Sequence, residues 1–334
     1  MDREQEEMQF LGLVGVFTES NKIISSGRKI FTPITLTLIL PLSFIYLLHI
    51  ELTSLLLRKI FYNAQQMSVT PFGSPRYEKL SDLISSEWAT FWLFKIIYFT
   101  LLLIFSLLST SAVVYTIASL YTARDVTFRR VMSVVPRVWK RLMLTFLCVF
   151  APFIAYNMFA FFAGFVWAVT IGIRNGGVAI LVILIILFFA GFVYLTIIWQ
   201  IASVVTVLEE SYGIQAMMKS RELIKGKMGM AIVIFLMLNV TFILIQVLFK
   251  EVVVQGWSLG SLDRTAYAIL CFSLLSVFFL FGLVIQTVLY FVCKSYHHEN
   301  INKSALSDHL EAFLLGEQYV PLNARDVQLE QYHV

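Results

Sequence analysis

Residues 177–208 read GVAILVILIILFFAGFVYLTIIWQIASVVTVL, with no Asp, Glu, Lys, Arg or His among them. About 20 apolar residues in a helix cross the hydrocarbon core of a bilayer, and an ordinary soluble core could not hide a segment like this one. Working outward, five more stretches have the same character: Phe31–Leu57, Trp88–Tyr121, Leu142–Ile173, Met228–Phe249 and Tyr267–Val292. The composition agrees, with 59% of the 334 residues hydrophobic, only 14% charged, and a mean hydropathy of +0.81. The expectation is an all-α fold: a polytopic membrane helical bundle of about six transmembrane helices. Spans two, three and four exceed the length needed, which predicts tilt or extension past the headgroups. Residues 1–30 then form an amphipathic amino-terminal segment, 31–293 the six-span membrane domain, and 294–334 a polar tail.

Charge placement orients the spans. Seventeen Lys and Arg residues fall in the amino-terminal segment, the loops after spans two and four, and the tail; seven fall on the other side, and Lys95 lies within span two. This asymmetry predicts that both termini are cytosolic. The first 20 residues carry Asp2, Glu4, Glu6 and Glu7 rather than a basic start and an apolar run, so the first span is expected to act as the internal targeting signal. Of the two glycosylation sequons, Asn239 falls inside span five and Asn302 in the tail, so both are expected to stay unmodified.

Spans two and three with their joining loop resemble spans four and five at an offset of 86 residues, giving repeat units of about 88–173 and 177–259. Phe128 aligns with Ile214, Met132 with Met218, Val138 with Ile224, and Arg141 with Lys227. Both units start on the same side, so the repeat is parallel. In the first loop Phe128, Val131, Met132, Val135, Val138, Trp139 and Leu142 share one helical face, while Arg129, Arg130, Arg137, Lys140 and Arg141 share the other. That pattern fits an interfacial helix with its basic side toward anionic headgroups, and it equally fits charges that only fix topology. Pro136 predicts two short helices with a kink. In the second loop Arg221 and Lys225 break into the face of Ile214, Met217, Met218, Ile224 and Met228, with Glu209, Glu210 or lipid phosphates as expected partners; Lys227 completes the basic set. Phe10, Leu13, Val14, Phe17 and Ile24 mark a further surface helix.

Signals of chemistry are sparse. Gly256-Trp257-Ser258-Leu259-Gly260 has the G-x-S-x-G spacing, but that motif works on a strand–turn–helix, and here it joins two spans. His297, His298, Glu299, Asp308 and His309 cluster past span six without the i, i+4 spacing of a helical zinc motif. Cys148, Cys271 and Cys293 lie in or beside apolar stretches with no disulfide or metal spacing. No catalytic set, cofactor, metal site or nucleic-acid partner is expected. Within the spans remain Asn157, Gln200, Asn239, Gln246 and Gln286, read as interhelical hydrogen-bonding residues. Lys95 and Glu51, near span ends, are expected to snorkel or pair. Pro152 in span three has Leu238 as its repeat counterpart, so there is no matched pair of broken helices as in ion-coupled transporters.

Four segments, Glu87–Lys95, Ser133–Leu142, Lys294–Asn300 and Ala324–Glu330, together resemble a plant family of uncharacterised multi-span membrane proteins along essentially the whole chain. The resemblance implies a plant source and a six-span body, without an activity. Ser220-Arg221-Glu222-Leu223-Ile224-Lys225-Gly226-Lys227 is also similar to the Ser-x-x-Leu-x-Lys-Gly stretch of the membrane domain attached to some bacterial glycerophosphodiester phosphodiesterases. The hydrolytic barrel of those proteins has no counterpart here, and the first repeat lacks the Lys-Gly pair.

The functional expectation is a non-enzymatic membrane protein of the endoplasmic reticulum or another endomembrane, or of the plasma membrane. Its basic loops would engage anionic lipid headgroups on the cytosolic face or an unidentified protein partner. The alternative is a passive transporter, channel or lipid scramblase.

Overall fold

The computed structural model describes residues 8–122, 127–172, 177–256 and 260–297. Every regular element among them is a helix: α1 (Leu13–Ser26), α2 (Arg28–Ile34), a π-helical turn (Thr35–Ile39), α3 (Leu40–Val69), α4 (Pro75–Tyr121), α5 (Phe128–Thr170), α6 (Gly177–Leu208), α7 (Ile214–Ile224), α8 (Met228–Leu248), a second π-helical turn (Phe249–Val254) and α9 (Ser261–Tyr296). Six are long and apolar enough to cross a membrane, the first of them running without a break from Arg28 to Val69. The chain is a multi-pass helical membrane protein in architecture.

The helix ends follow local chemistry. Ser74 accepts a hydrogen bond from the Tyr77 amide ahead of Pro75, and Glu78 sits in the first turn of α4, where a carboxylate favours the helix dipole. Inside the spans, hydroxyls bond back to carbonyls of their own helix: Ser43 to Ile39, Ser111 to Leu107, Thr116 to Ala112 and Thr287 to Leu283. This satisfies each side chain where no water can reach it.

Packing is uneven along the bundle. On the half nearer both described ends, α4 is buried from Ser109 to Ser119, α6 from Ile201 to Leu208, and α9 from Val284 to Cys293 save Gln286. That is the main core. α1 lies on it against α9, with Phe17 and Phe281 6.0 Å apart between ring centres. On the other half α5 and α6 turn Phe159, Phe161, Phe162, Ile186 and Leu187 outward, as lipid-facing side chains would be. A smaller core there joins Leu47, Ile245, Phe249, Val253, Cys271 and Leu275.

Three expectations change. α5 is one continuous helix through Pro136, so the amphipathic stretch forms the first turns of span three rather than two short kinked helices. Pro136, the ninth residue of α5, forgoes one bond to the Met132 carbonyl, while the buried row Val131, Val134, Val135, Val138 and Leu142 packs on both sides of it and keeps the helix continuous. The inward face of α1 is Val16, Glu19, Ser20 and Ile23, while Phe10 and Val14 are exposed. On α7 the buried face is Ala216, Ser220, Leu223 and Ile224, with Ile214 and Met218 outward. The small residues Ala216 and Ser220 permit close helix approach and carry little hydrophobic signal.

α3 and α4 overrun the membrane. At 1.5 Å per residue α4 is roughly 70 Å long, against a hydrocarbon core of about 30 Å. Beyond Arg58 the two helices continue side by side as a hairpin, held by the buried carboxylate of Glu87. Asn63 donates to both its oxygens at 2.9 Å, and Lys59 lies 3.1 Å away. Replacing Glu87 with Ala removes about 1–2 kcal/mol of hydrogen bonding. Amide exchange in residues 58–87 should accelerate roughly tenfold while α6 and α9 keep their protection.

Candidate functional site

The face that carries both described ends gathers the cationic residues. Its centre is Glu209, just past the end of α6. Lys219 of α7 lies 2.6 Å from one carboxylate oxygen; Lys294 of α9 lies 2.7 Å from the other, which also accepts from the Tyr290 hydroxyl at 2.5 Å. Lys294 donates to the same hydroxyl at 3.2 Å. Burial works to raise the Glu209 pKa, but the hydrogen bonds from Lys219, Lys294 and Tyr290 outweigh it, so the group titrates below its ordinary value of 4.5. It stays an anion that locks α6, α7 and α9 together.

A second joint sets the position of α7. Thr145 of α5 shares a hydrogen bond with Thr206 of α6 at 2.9 Å and accepts the Gly213 amide at 2.8 Å. Gly213 has φ +63°, a conformation costly to any residue with a Cβ. A third joint follows α7. Gly226 has φ +88°, and the Tyr296 ring occupies the space where its Cβ would stand. Lys227 donates to the Gln9 carbonyl at 2.9 Å and sits 5.0 Å from the centre of the Tyr296 ring. The His297 Nε2–H points at the carbonyls of Leu223 and Lys225, both at 3.0 Å, where the exposed last carbonyls of α7 need donors. In the Ser220–Lys227 stretch, then, Ser220 and Leu223 are buried and Gly226 makes the turn.

Around these joints Arg129, Arg130, Lys140, Arg221 and Lys225 are exposed. Arg141 is half-buried with its guanidinium 5.9 Å from the centre of the Tyr212 ring. The Arg137 side chain lies outside the described residues. Glu209 pairs with Lys219 and Lys294 rather than with Arg221 or Lys225, which point outward from the buried face of α7. The pairing with Lys294, 85 residues away, leaves no trace in local sequence.

The span amides divide. Gln286 donates to the Gln200 carbonyl and, at 2.7 Å, to Ser203 Oγ, joining α9 to α6. Asn157 and Asn239 donate within their own helices, to Phe153 and Phe235. Gln246 is half-buried on α8. Gln200, Asn239 and Gln286 line a cavity of about 200 Å³ between α6, α8 and α9; Asn157 and Gln246 do not. Near the opposite end of the spans Lys95 lies 2.6 Å from His49 Nε2 and donates to Thr53 Oγ1 at 3.0 Å. No group of three metal-ligating side chains occurs among the described residues. The G-x-S-x-G centre at 257–259, and 298–334 with His298, Glu299, Asp308 and His309, lie outside them.

With this geometry in place, residues 1–332 match the family described as Domain of unknown function (DUF8558). The chain belongs to that family. No curated protein and no solved structure matches it. The DUF8558 assignment covers the whole bundle and brings no activity with it, so function is argued from the basic face and the cavities.

The Glu209 joint makes a signed prediction about pH. Glu209→Gln removes the anion between two cations and should cost about 2 kcal/mol, allowing for the partial exposure of Lys219. Because the folded-state pKa is depressed, this stabilisation is complete above the ordinary carboxylate value and fades as pH falls through the lowered one. Thermal unfolding should show wild type ahead of Glu209→Gln at neutral pH, with the two converging in acid. A gap that persists below both pKa values would mean that the introduced amide fails for steric reasons.

Proposed function

We propose that this DUF8558 chain is a non-enzymatic membrane protein of plant endomembranes whose basic face, turned to the cytosol, engages anionic lipid headgroups or the acidic surface of a protein partner. The observation that carries the reading is the division of the first turns of α5 and of α7. Val131, Val134, Val135, Val138 and Leu142 are buried on α5, as are Ala216, Leu223 and Ile224 on α7, leaving Arg129, Lys140, Arg221 and Lys225 exposed beside one another's helices. Apolar anchoring leaves these long cationic side chains extended at headgroup level, where each contributes about 1 kcal/mol of attraction to an anionic leaflet. The excess of Lys and Arg on this face supports the cytosolic orientation. The resemblance of the whole chain to a plant family supports the source, and the likeness of Ser220–Lys227 to a phosphodiesterase-linked membrane domain supports a shared packing unit without the hydrolase.

Charge reversal at Arg129, Lys140, Arg221 and Lys225 tests it. In nanodiscs of mixed lecithin and phosphatidylserine, the quadruple variant should insert and melt like wild type. It should lose at least tenfold in preference for labelled phosphatidylserine, and the wild-type preference should itself fall with salt. Equal enrichment in both proteins counts against lipid engagement and leaves the protein partner as the occupant of this face.

A passive transport reading is favoured by one observation, the cavity between α6, α8 and α9 with three amide side chains on its wall. If it conducts, cysteines placed at Gln200 and Asn239 should react with an impermeant thiol reagent, and proteoliposomes should scramble a fluorescent phospholipid. Protection at both positions with no scrambling removes this reading.

A further inference from the structure

The smaller core, on the half away from the described ends, encloses a cavity of about 360 Å³ that the basic face does not use. Leu47 and Glu51 of α3, Phe249 and Val253 of the second π-helical turn, and Ala268 and Phe272 of α9 form its walls. Phe44, Leu48 and Ile269, which also line it, are 57%, 40% and 61% exposed, so its mouth opens on the membrane-facing surface. All the lining is hydrocarbon or aromatic except one carboxylate. One oxygen of that carboxylate, Glu51 Oε2, is buried with no hydrogen-bond partner among the described residues.

An acceptor left bare in such surroundings is costly, of order 1–3 kcal/mol and more when charged. No Lys, Arg or His stands among the described residues of the cavity wall to offset this. Arg264, close by on α9, is engaged with the Val253 carbonyl at 3.1 Å. Depth narrows the missing partner further. Glu51 lies 22 positions past Lys29 and seven before Arg58, roughly 33 Å and 10 Å along the helix. The carboxylate therefore sits near the far edge of a hydrocarbon layer about 30 Å thick, where a lipid head would rest. The wall is interrupted by a π-helical turn, a rare element that is frequent at functional sites.

We propose that this cavity binds a single-chain lipid amine from the leaflet opposite the described ends, its ammonium paired with Glu51 and its chain lying along Leu47 and Phe272. An ammonium brings both donors and the opposite charge to an acceptor-only group, and that pairing is strong where water is excluded. The rings of Phe44, Phe249 and Phe272 suit a cation better than a neutral hydroxyl.

Full-length protein in lecithin nanodiscs, titrated with octadecylamine, octadecanol and octadecanoic acid, decides the matter. The expected result is one saturable amine site per chain, at least tenfold tighter than the alcohol, with no saturable site for the acid. Glu51→Gln should weaken the amine at least tenfold at an unchanged melting temperature. Ala268→Phe, which fills the cavity and keeps the carboxylate, should weaken it as much, and it carries the decision if Glu51→Gln does not fold. Amine affinity unchanged by the variants, or matched by octadecanol, overturns the proposal.

Discussion

A carboxylate at the edge of the apolar slab ties three helices together. Glu209 stands where α6 leaves the membrane, and its two oxygens meet Lys219 from α7 and Lys294 and Tyr290 from α9. Two ammonium groups this close would repel one another without the anion, and the anion would be costly to bury without them. Because the three charges require one another, α7 has one place to sit. Once it sits there, its last carbonyls meet His297, Gly226 turns beneath Tyr296, and Lys227 reaches the Gln9 carbonyl. The geometry of the basic face thus descends from a single ionic joint at the membrane boundary.

The same rule, that polar groups in lipid need a protein partner, organises the interior. Ser43, Ser111 and Thr116 spend their hydroxyls on their own helices and specify no neighbour, whereas Thr145 and Thr206 also bond to each other across α5 and α6. Gln286 does specify one, because its amide crosses to the Gln200 carbonyl and to Ser203. Where the rule is kept the bundle is tight, as along Val284–Cys293. The other half opens toward lipid, although Tyr156 and Lys95 cross between helices there as well, and its cavity at Glu51 is lined by apolar side chains apart from that carboxylate.

What the sequence revealed and what it hid divide along range. The six spans were legible because membrane crossing is a property of consecutive residues, and the inward face of α5 followed from the spacing of Val131, Val135, Val138 and Leu142. The inward face of α7 was not legible, since it is built on Ala216 and Ser220, whose value lies in what they let approach rather than in their own hydrophobicity. Pro136 misled because a proline removes a single hydrogen bond, and the apolar face packed on both sides of it, from Val131 to Leu142, holds the helix together. The partners of Glu209 and the bare oxygen of Glu51 were out of reach, since each depends on which distant helix lies opposite.

The two stretches that the sequence aligns at an offset of 86 residues take different shapes. Helices begin at Phe128 and at Ile214, the same distance apart as the aligned loops. From there α5 runs unbroken into its span, while α7 stops at Ile224 and α8 starts afresh at Met228. The stop falls at Gly226, whose counterpart at the same offset is Lys140. Lysine does not adopt φ +88° without strain, and a Cβ there would meet Tyr296. The glycine therefore does two things at once: it turns the chain, and it makes the notch into which the end of α9 fits. Residues 128–142 make no such turn; the carboxyl-terminal end of α9 meets α7 at Gly226, and Lys227 holds the amino-terminal Gln9 beside it.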